Sequence, residues 1–215
     1  MGGGEFPCAA TVTIPGPAGA IEALTGCPAP GHARPATAVI CHPHPLHGGT
    51  MHNKVVHTLA RTFERAGARS LRFNFRGVGA SQGAFDHGHG ETDDALAALE
   101  WARARRPHDE LWLAGFSFGA AVAARVAARH PVARLVTVAP AINLYHDLRS
   151  YAPPAIPWLL VQGTDDEIVP AAEVVAWARG LNPPPRLALL DGVGHFFHGR
   201  LHDLASAVTD WLGTA

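Results

Sequence analysis

Apolar residues follow two rhythms along this chain, and the exchange between them lays out a fold. Residues 9–14, AATVTI, alternate as an edge strand does. A second, weaker strand is expected over 20–24. TAVICH, residues 37–42, is a short β-branched run that stops at a loop rich in proline and glycine, which predicts a buried strand. From His52 to Ala66 the spacing becomes helical, with Val55, Val56, Leu59, Ala60 and Phe63 on one face, and Gly67 ends the helix. The exchange then repeats. SLRFNF (70–75), LWLAGF (111–116), LVTVAP (135–140), WLLVQG (158–163) and RLALLDG (186–192) read as strands. Helices are expected over 91–106, 120–130, 171–181 and 200–212. Strands this apolar, separated by helices, predict a doubly wound α/β fold. Its mostly parallel sheet of seven or eight strands is covered by helices on both faces. Residues 1–215 contain no repeat and no linker, so one domain is expected. On such a sheet, ligands bind at the carboxyl ends of the strands.

Composition narrows the function more than the fold. Hydrophobic residues make up 47% of the chain and the net charge is −1. Lys54 is the one lysine and the arginines are scattered, so no basic stripe for nucleic acid is present. Cys8, Cys27 and Cys41 are widely spaced and odd in number, without a CxxC pair. They are expected to be reduced thiols, which suits the cytoplasm. The start MGGGEFPCAATV lacks the basic and apolar regions of a signal peptide, and no run reaches membrane length. The expected partner is a small molecule, with neither nucleic acid nor membrane.

Chemistry enters at GFSFG, residues 115–119, a Gly-x-Ser-x-Gly segment between a predicted strand and an Ala-rich helix. Glycines permit the sharp turn, and the turn lifts Ser117 above the sheet at a helix N-terminus. The competing reading is a serine that merely caps its helix. A serine nucleophile needs a base, and the base needs an orienting acid. His195 follows the last strand, in GVGHFF; Asp165 and Asp166 follow the strand before it, in GTDDEIVP. Each candidate sits after a different strand, so all three can converge at one edge of the sheet. The backbone N–H of Phe118, next after the serine, is a candidate oxyanion donor.

HPHPLxGGTMxNKVV stands here as residues 42–56 and FNFRGVGxSxG as residues 73–83. With these segments and the Ser, Asp, His order, nearly the whole chain resembles the α/β-hydrolase superfamily. More narrowly, it resembles the compact, capless, dienelactone-hydrolase-like bacterial serine hydrolases of that superfamily. The resemblance implies cleavage of small or short-acyl esters through an acyl-enzyme, with no cofactor. Thioesterase, lactonase, peptidase and acyltransferase activities use the same machinery, and a non-catalytic scaffold is the alternative outside enzymes. The stretch 163–170 resembles the Gly-x-x-Asp-x-x-Val-Pro turn of the superfamily, which implies Asp166 as the acid and leaves Asp165 to cap the following turn. The loop after the third strand supplies the second oxyanion donor in this superfamily, and by position that is the N–H of His44.

Residues 41–53, CHPHPLHGGTMHN, also suggest metal, because His42, His44 and His47 have ligand spacing. No cysteine or carboxylate stands nearby to complete such a site, so no metal is expected. Pro43 and Pro45 have no N–H and stiffen the loop around the His44 donor instead. The RGVGASQG loop lacks the third glycine of a dinucleotide fingerprint, and Arg76 is as well explained by an ion pair. Candidate apolar walls for substrate are Leu46, Met51, Phe116 and Phe196, with Phe118 and Phe197. Between the strands ending near Ala139 and starting near Trp158 there is room for a loop, carrying Ile142, Leu144 and Tyr145, but not for a lid.

Overall fold

The computed structural model describes residues 4–142, 148 and 154–214. Among these residues eight strands form one sheet: β1 (Thr11–Gly16), β2 (Gly19–Gly26), β3 (Ala36–Cys41), β4 (Arg69–Phe73), β5 (Glu110–Phe116), β6 (Arg134–Val138), β7 (Trp158–Gly163) and β8 (Arg186–Leu190). Their order is β1-β2-β4-β3-β5-β6-β7-β8. β1 and β2 are antiparallel to their neighbours, and every pair from β4 to β8 is parallel. The helices are α1 (Lys54–Arg65), α2 (His89–Arg105), α3 (Phe118–Ala127), α4 (Ala171–Arg179) and α5 (Leu201–Thr214).

Alternation along the central strands explains the two layers. Ala38, Ile40, Trp112, Ala114, Val136 and Val138 pack with α1 and α5 on one face. Val39, Cys41, Leu111, Leu113 and Leu135 pack with α2 and α3 on the other. Helix α3 is buried at every position, which is why small residues, alanine, valine and glycine, make up all of it but Phe118 and Arg125. Both faces are therefore dry, as a parallel sheet requires.

The strands stop earlier than their apolar runs. β4 ends at Phe73, two residues before the run does, because the next segment makes side-chain bonds instead of ladder bonds. Asn74 accepts from the Met51 N–H at 2.8 Å and donates to Glu22 at 2.7 Å, while the Ser81 hydroxyl donates to the Asn74 carbonyl at 2.6 Å. Arg76 makes a two-pronged ion pair with Asp94, which is fully buried. These contacts give the FNFRGVGxSxG segment a structural purpose: it ties the loop after β3 to the loop after β4. Helix α1 begins at Lys54, two residues after its apolar rhythm does, because the Asn53 side chain accepts from the N–H groups of Val55 and Val56.

One expectation from composition fails. Cys8 and Cys27 form a disulfide, with Cα atoms 5.4 Å apart. The hairpin register is the cause. Thr11 pairs with Leu24 and Val12 with Ala23, and carrying that register outward sets Cys8 opposite Cys27. Ala10 and Thr25 already follow it: the Thr25 N–H donates to the Ala10 carbonyl at 3.0 Å, and the Thr25 hydroxyl accepts from the Ala10 N–H at 3.2 Å and donates to the Ala10 carbonyl at 3.1 Å. An odd count says nothing about two cysteines that a hairpin brings face to face. Cys41 is the free, buried thiol; burial and then the charge of Asp94 push its pKa far above the usual range. No helix among the described residues is long and apolar enough to cross a membrane.

Candidate active site

Strand β5 ends and α3 begins with a backbone that only a strongly determined turn tolerates. Ser117 has φ 54° and ψ −115°, a left-handed conformation that costs a non-glycine residue energy. Its N–H donates to the Val138 carbonyl at 2.8 Å, and its own carbonyl accepts from Ala120 and Ala121 at 3.1 and 3.2 Å. A side chain at Gly115 would strike the Gly119 carbonyl, and one at Gly119 would strike the carbonyls of Cys41 and His42. The second glycine thus lets α3 press against the end of β3, bringing the loop that carries His44 against the turn that carries Ser117.

The Ser117 hydroxyl makes no capping bond to its own helix, so the competing reading of a serine cap fails. It lies 3.0 Å from His195 Nε2 instead. His195 Nδ1 lies 2.8 Å from Asp166 Oδ2. A carboxylate only accepts, so Nδ1 carries the proton and Nε2 is left to accept from the serine. His195 is 3% exposed and Asp166 7%, while Ser117 keeps 8%. Three loops, after β5, β7 and β8, thus meet at one edge of the sheet.

Asp166 is held on every side. Oδ1 accepts from the N–H groups of Ile168 and Val169 at 3.0 and 2.7 Å. Oδ2 also accepts from Gln162 Nε2 at 2.9 Å. Burial alone would raise its pKa; hydrogen bonds from His195, Val169 and Ile168, with the charge of His195, outweigh it and hold the carboxyl below its ordinary range. Asp165 does not cap the following turn as expected. Asp166 caps it with one oxygen, and Asp165 accepts from its neighbour Thr164 at 3.0 Å.

Two supporting residues carry no motif. Gln162 is fully buried and points its amide nitrogen at Asp166, at the Val169 carbonyl (3.1 Å) and at the Gly163 carbonyl (3.4 Å). The sequence signal is a lone amide at the end of an otherwise apolar strand, four residues before the acid. Glu167 accepts from the His195 backbone N–H at 3.1 Å and so fastens the loop after β8 to the loop after β7.

The histidine-rich segment divides into separate parts. His42 is fully buried, with Nδ1 2.6 Å from the Pro43 carbonyl and Nε2 accepting from the Phe75 N–H at 3.0 Å. Burial lowers its pKa to about 4, against the smaller opposing effect of the Pro43 bond. His44 accepts from the Leu46 N–H at 3.2 Å, and its ring packs against His47, Phe85 and Phe118 at 4.6–5.1 Å between centroids. Burial, then His47 and His87, lower its pKa. Among the described residues no three His, Cys, Asp or Glu side chains are grouped to hold a metal ion.

The apolar wall residues separate as well. Leu46 is 69% exposed and Phe196 45%, so both stand at the rim. Met51 is 1% exposed and lies in the core, and its N–H donates to Asn74. Phe116 is buried but backs a cleft beside His195. Phe118 and Phe197 are core residues. Leu144 and Tyr145 lie outside the described residues.

Comparison with known proteins identifies the fold. A solved alpha-beta serine hydrolase homologue from Coxiella burnetii is 44% identical, with a TM-score of 0.92 over 96% of this chain and 99% of that one. A protein from Xanthomonas campestris, described as a serine hydrolase without a lid, is also 44% identical, with a TM-score of 0.94 over 98% and 97%. An uncharacterised protein of Rickettsia prowazekii is 38% identical over 82% of this chain and 78% of its own. The family model described as alpha/beta hydrolase fold matches residues 45–152. The chain belongs to the alpha/beta hydrolase fold family.

Proposed function

We propose that the protein is a serine hydrolase that cleaves small or short-acyl carboxylic esters. The observation that carries this reading is the hydrogen-bonded series from Ser117 through His195 to Asp166, at 3.0 and 2.8 Å. The serine hydroxyl is spent on no structural bond, and the imidazole nitrogen facing it is an acceptor. Ser117 Oγ attacks the ester carbonyl while His195 Nε2 takes its proton. The N–H groups of His44 and Phe118 receive the oxyanion. His195 then returns the proton to the leaving alcohol as the carbon–oxygen bond breaks, and an acyl-enzyme remains. Water, deprotonated by His195, releases the acid and restores the serine. Asp166 holds the imidazole tautomer and stabilises the imidazolium.

The short connection between β6 and β7 supports small substrates. Residues 139–157 are all that separate β6 from β7, too few for a cap domain. The Xanthomonas relative is described as lacking a lid. Hydrolysis of p-nitrophenyl esters across acyl lengths tests the reading. Wild type is expected to prefer short chains, and Ser117→Ala to lose turnover while keeping its circular dichroism spectrum. Equal turnover in both proteins would refute the assignment.

A further inference from the structure

A cleft of about 290 Å³ opens beside Phe116 and Phe196. Its apolar walls are Phe116 and Phe196, and both rings also touch the imidazole of His195, at 5.1 and 5.2 Å between centroids. Its polar lining includes Lys54, His52 and His198, and no carboxylate. Pockets for whole ligands span about 300–1,000 Å³, so this cleft suits a substituent of a substrate and not the entire molecule.

Lys54 gives the cleft its sign. It is the chain's only lysine, it is exposed, and it forms no ion pair among the described residues. The first turn of α1 holds no acid. Arg72 lies behind the same loop and donates to the Met51 carbonyl at 2.9 Å. The pKa of His57, on the first turn of α1, is lowered first by burial and then by Arg72 and Arg61, which outweigh Glu64. The cleft lining therefore carries one lysine and no carboxylate to offset it.

Chemistry fixes which part of a substrate reaches it. The leaving oxygen must approach His195 to receive its proton, whereas the oxyanion faces the N–H groups of His44 and Phe118. The cleft shares two aromatic walls, Phe116 and Phe196, with His195, the group that meets the leaving oxygen. We infer that this cleft receives a carboxylate carried on the leaving alcohol, so that the preferred substrates are esters of small hydroxy acids. The inference rests on the serine-hydrolase reading and deepens it. The aromatic rings hold the apolar body of the alcohol, while Lys54 and the two imidazoles meet its carboxylate.

Two acetate esters of matched leaving ability test it: 4-acetoxyphenylacetate and its methyl ester, with kcat/KM measured for each. Wild type is expected to favour the anion about tenfold, the size of one partly solvated charge-assisted contact. Lys54→Gln should bring the ratio near unity, Lys54→Arg should keep most of it, and high salt should reduce it. A wild-type ratio at or below unity would overturn the inference, as would a ratio unchanged by Lys54→Gln. Inertness toward both esters and toward p-nitrophenyl acetate would instead overturn the hydrolase reading beneath it, and this inference with it.

Discussion

Two buried histidines, at the ends of two parallel strands, serve opposite ends. His42 follows β3 and His195 follows β8; they are 0% and 3% exposed. Each uses both ring nitrogens. His42 spends them on backbone, the Pro43 carbonyl and the Phe75 N–H. His195 spends them on side chains, Asp166 and Ser117. Backbone partners cannot change protonation state, so His42 is locked neutral and works as a clasp between two loops. A carboxylate and a hydroxyl can stabilise or accept a travelling proton, so His195 has a path for one. Burial alone does not separate a structural histidine from a reactive one; the chemistry of its partners does.

The comparison can be broken first at His195. Replacement by Gln should lower kcat/KM for p-nitrophenyl acetate by roughly 10⁴-fold or more, since the proton acceptor is lost. Chemical unfolding should show the fold intact.

The loop held by His42 offers a finer cut. At His44 the backbone has φ −52° and ψ 122°, a conformation proline adopts without strain. His44→Pro therefore deletes the N–H together with the side chain, and turnover should fall by about 10²–10³-fold, as for one lost oxyanion donor. His44→Ala keeps the N–H and should retain most turnover. Equal losses in the two variants would move the donor elsewhere.

A smaller effect is expected at Gln162, whose amide steadies Asp166. Gln162→Leu should reduce kcat by up to about 10²-fold through misplacement of the acid, with KM nearly unchanged.

His42 should show itself in stability instead. Its folded pKa is about 4, below the ordinary 6.5, so the unfolded chain binds the proton more readily. Stability is therefore full above about pH 6.5 and declines as pH falls toward 4, by about 3 kcal/mol for this group. Denaturant unfolding at pH 7 and pH 4 should show a larger loss in wild type than in His42→Gln, the difference being the share of this group. Asp166, whose folded pKa is also lowered, contributes its loss below the ordinary carboxylate range, in a separate window.

Local patterns were the legible part of this molecule. The strand–turn–helix around Ser117 follows from glycines whose absent side chains make room for carbonyls, a demand visible in five residues. The positions of Asp166 and His195 after successive strands follow from the alternation of rhythms. Registers and distant partners were not legible. The Cys8–Cys27 bond depends on a hairpin register, and the Met51 N–H pairs with Asn74, 23 positions away. The division of labour among the histidines was hidden for the same reason. The partner that claims His42 lies 33 positions along the chain.

The most direct test of the central claim is covalent. Wild-type protein treated with a fluorophosphonate should gain one phosphonyl group, mapped by peptide mass spectrometry to Ser117, and His195→Gln should label far more slowly. Wild type that stays unmodified, or carries the label on another residue, would contradict the claim that Ser117 is the activated nucleophile.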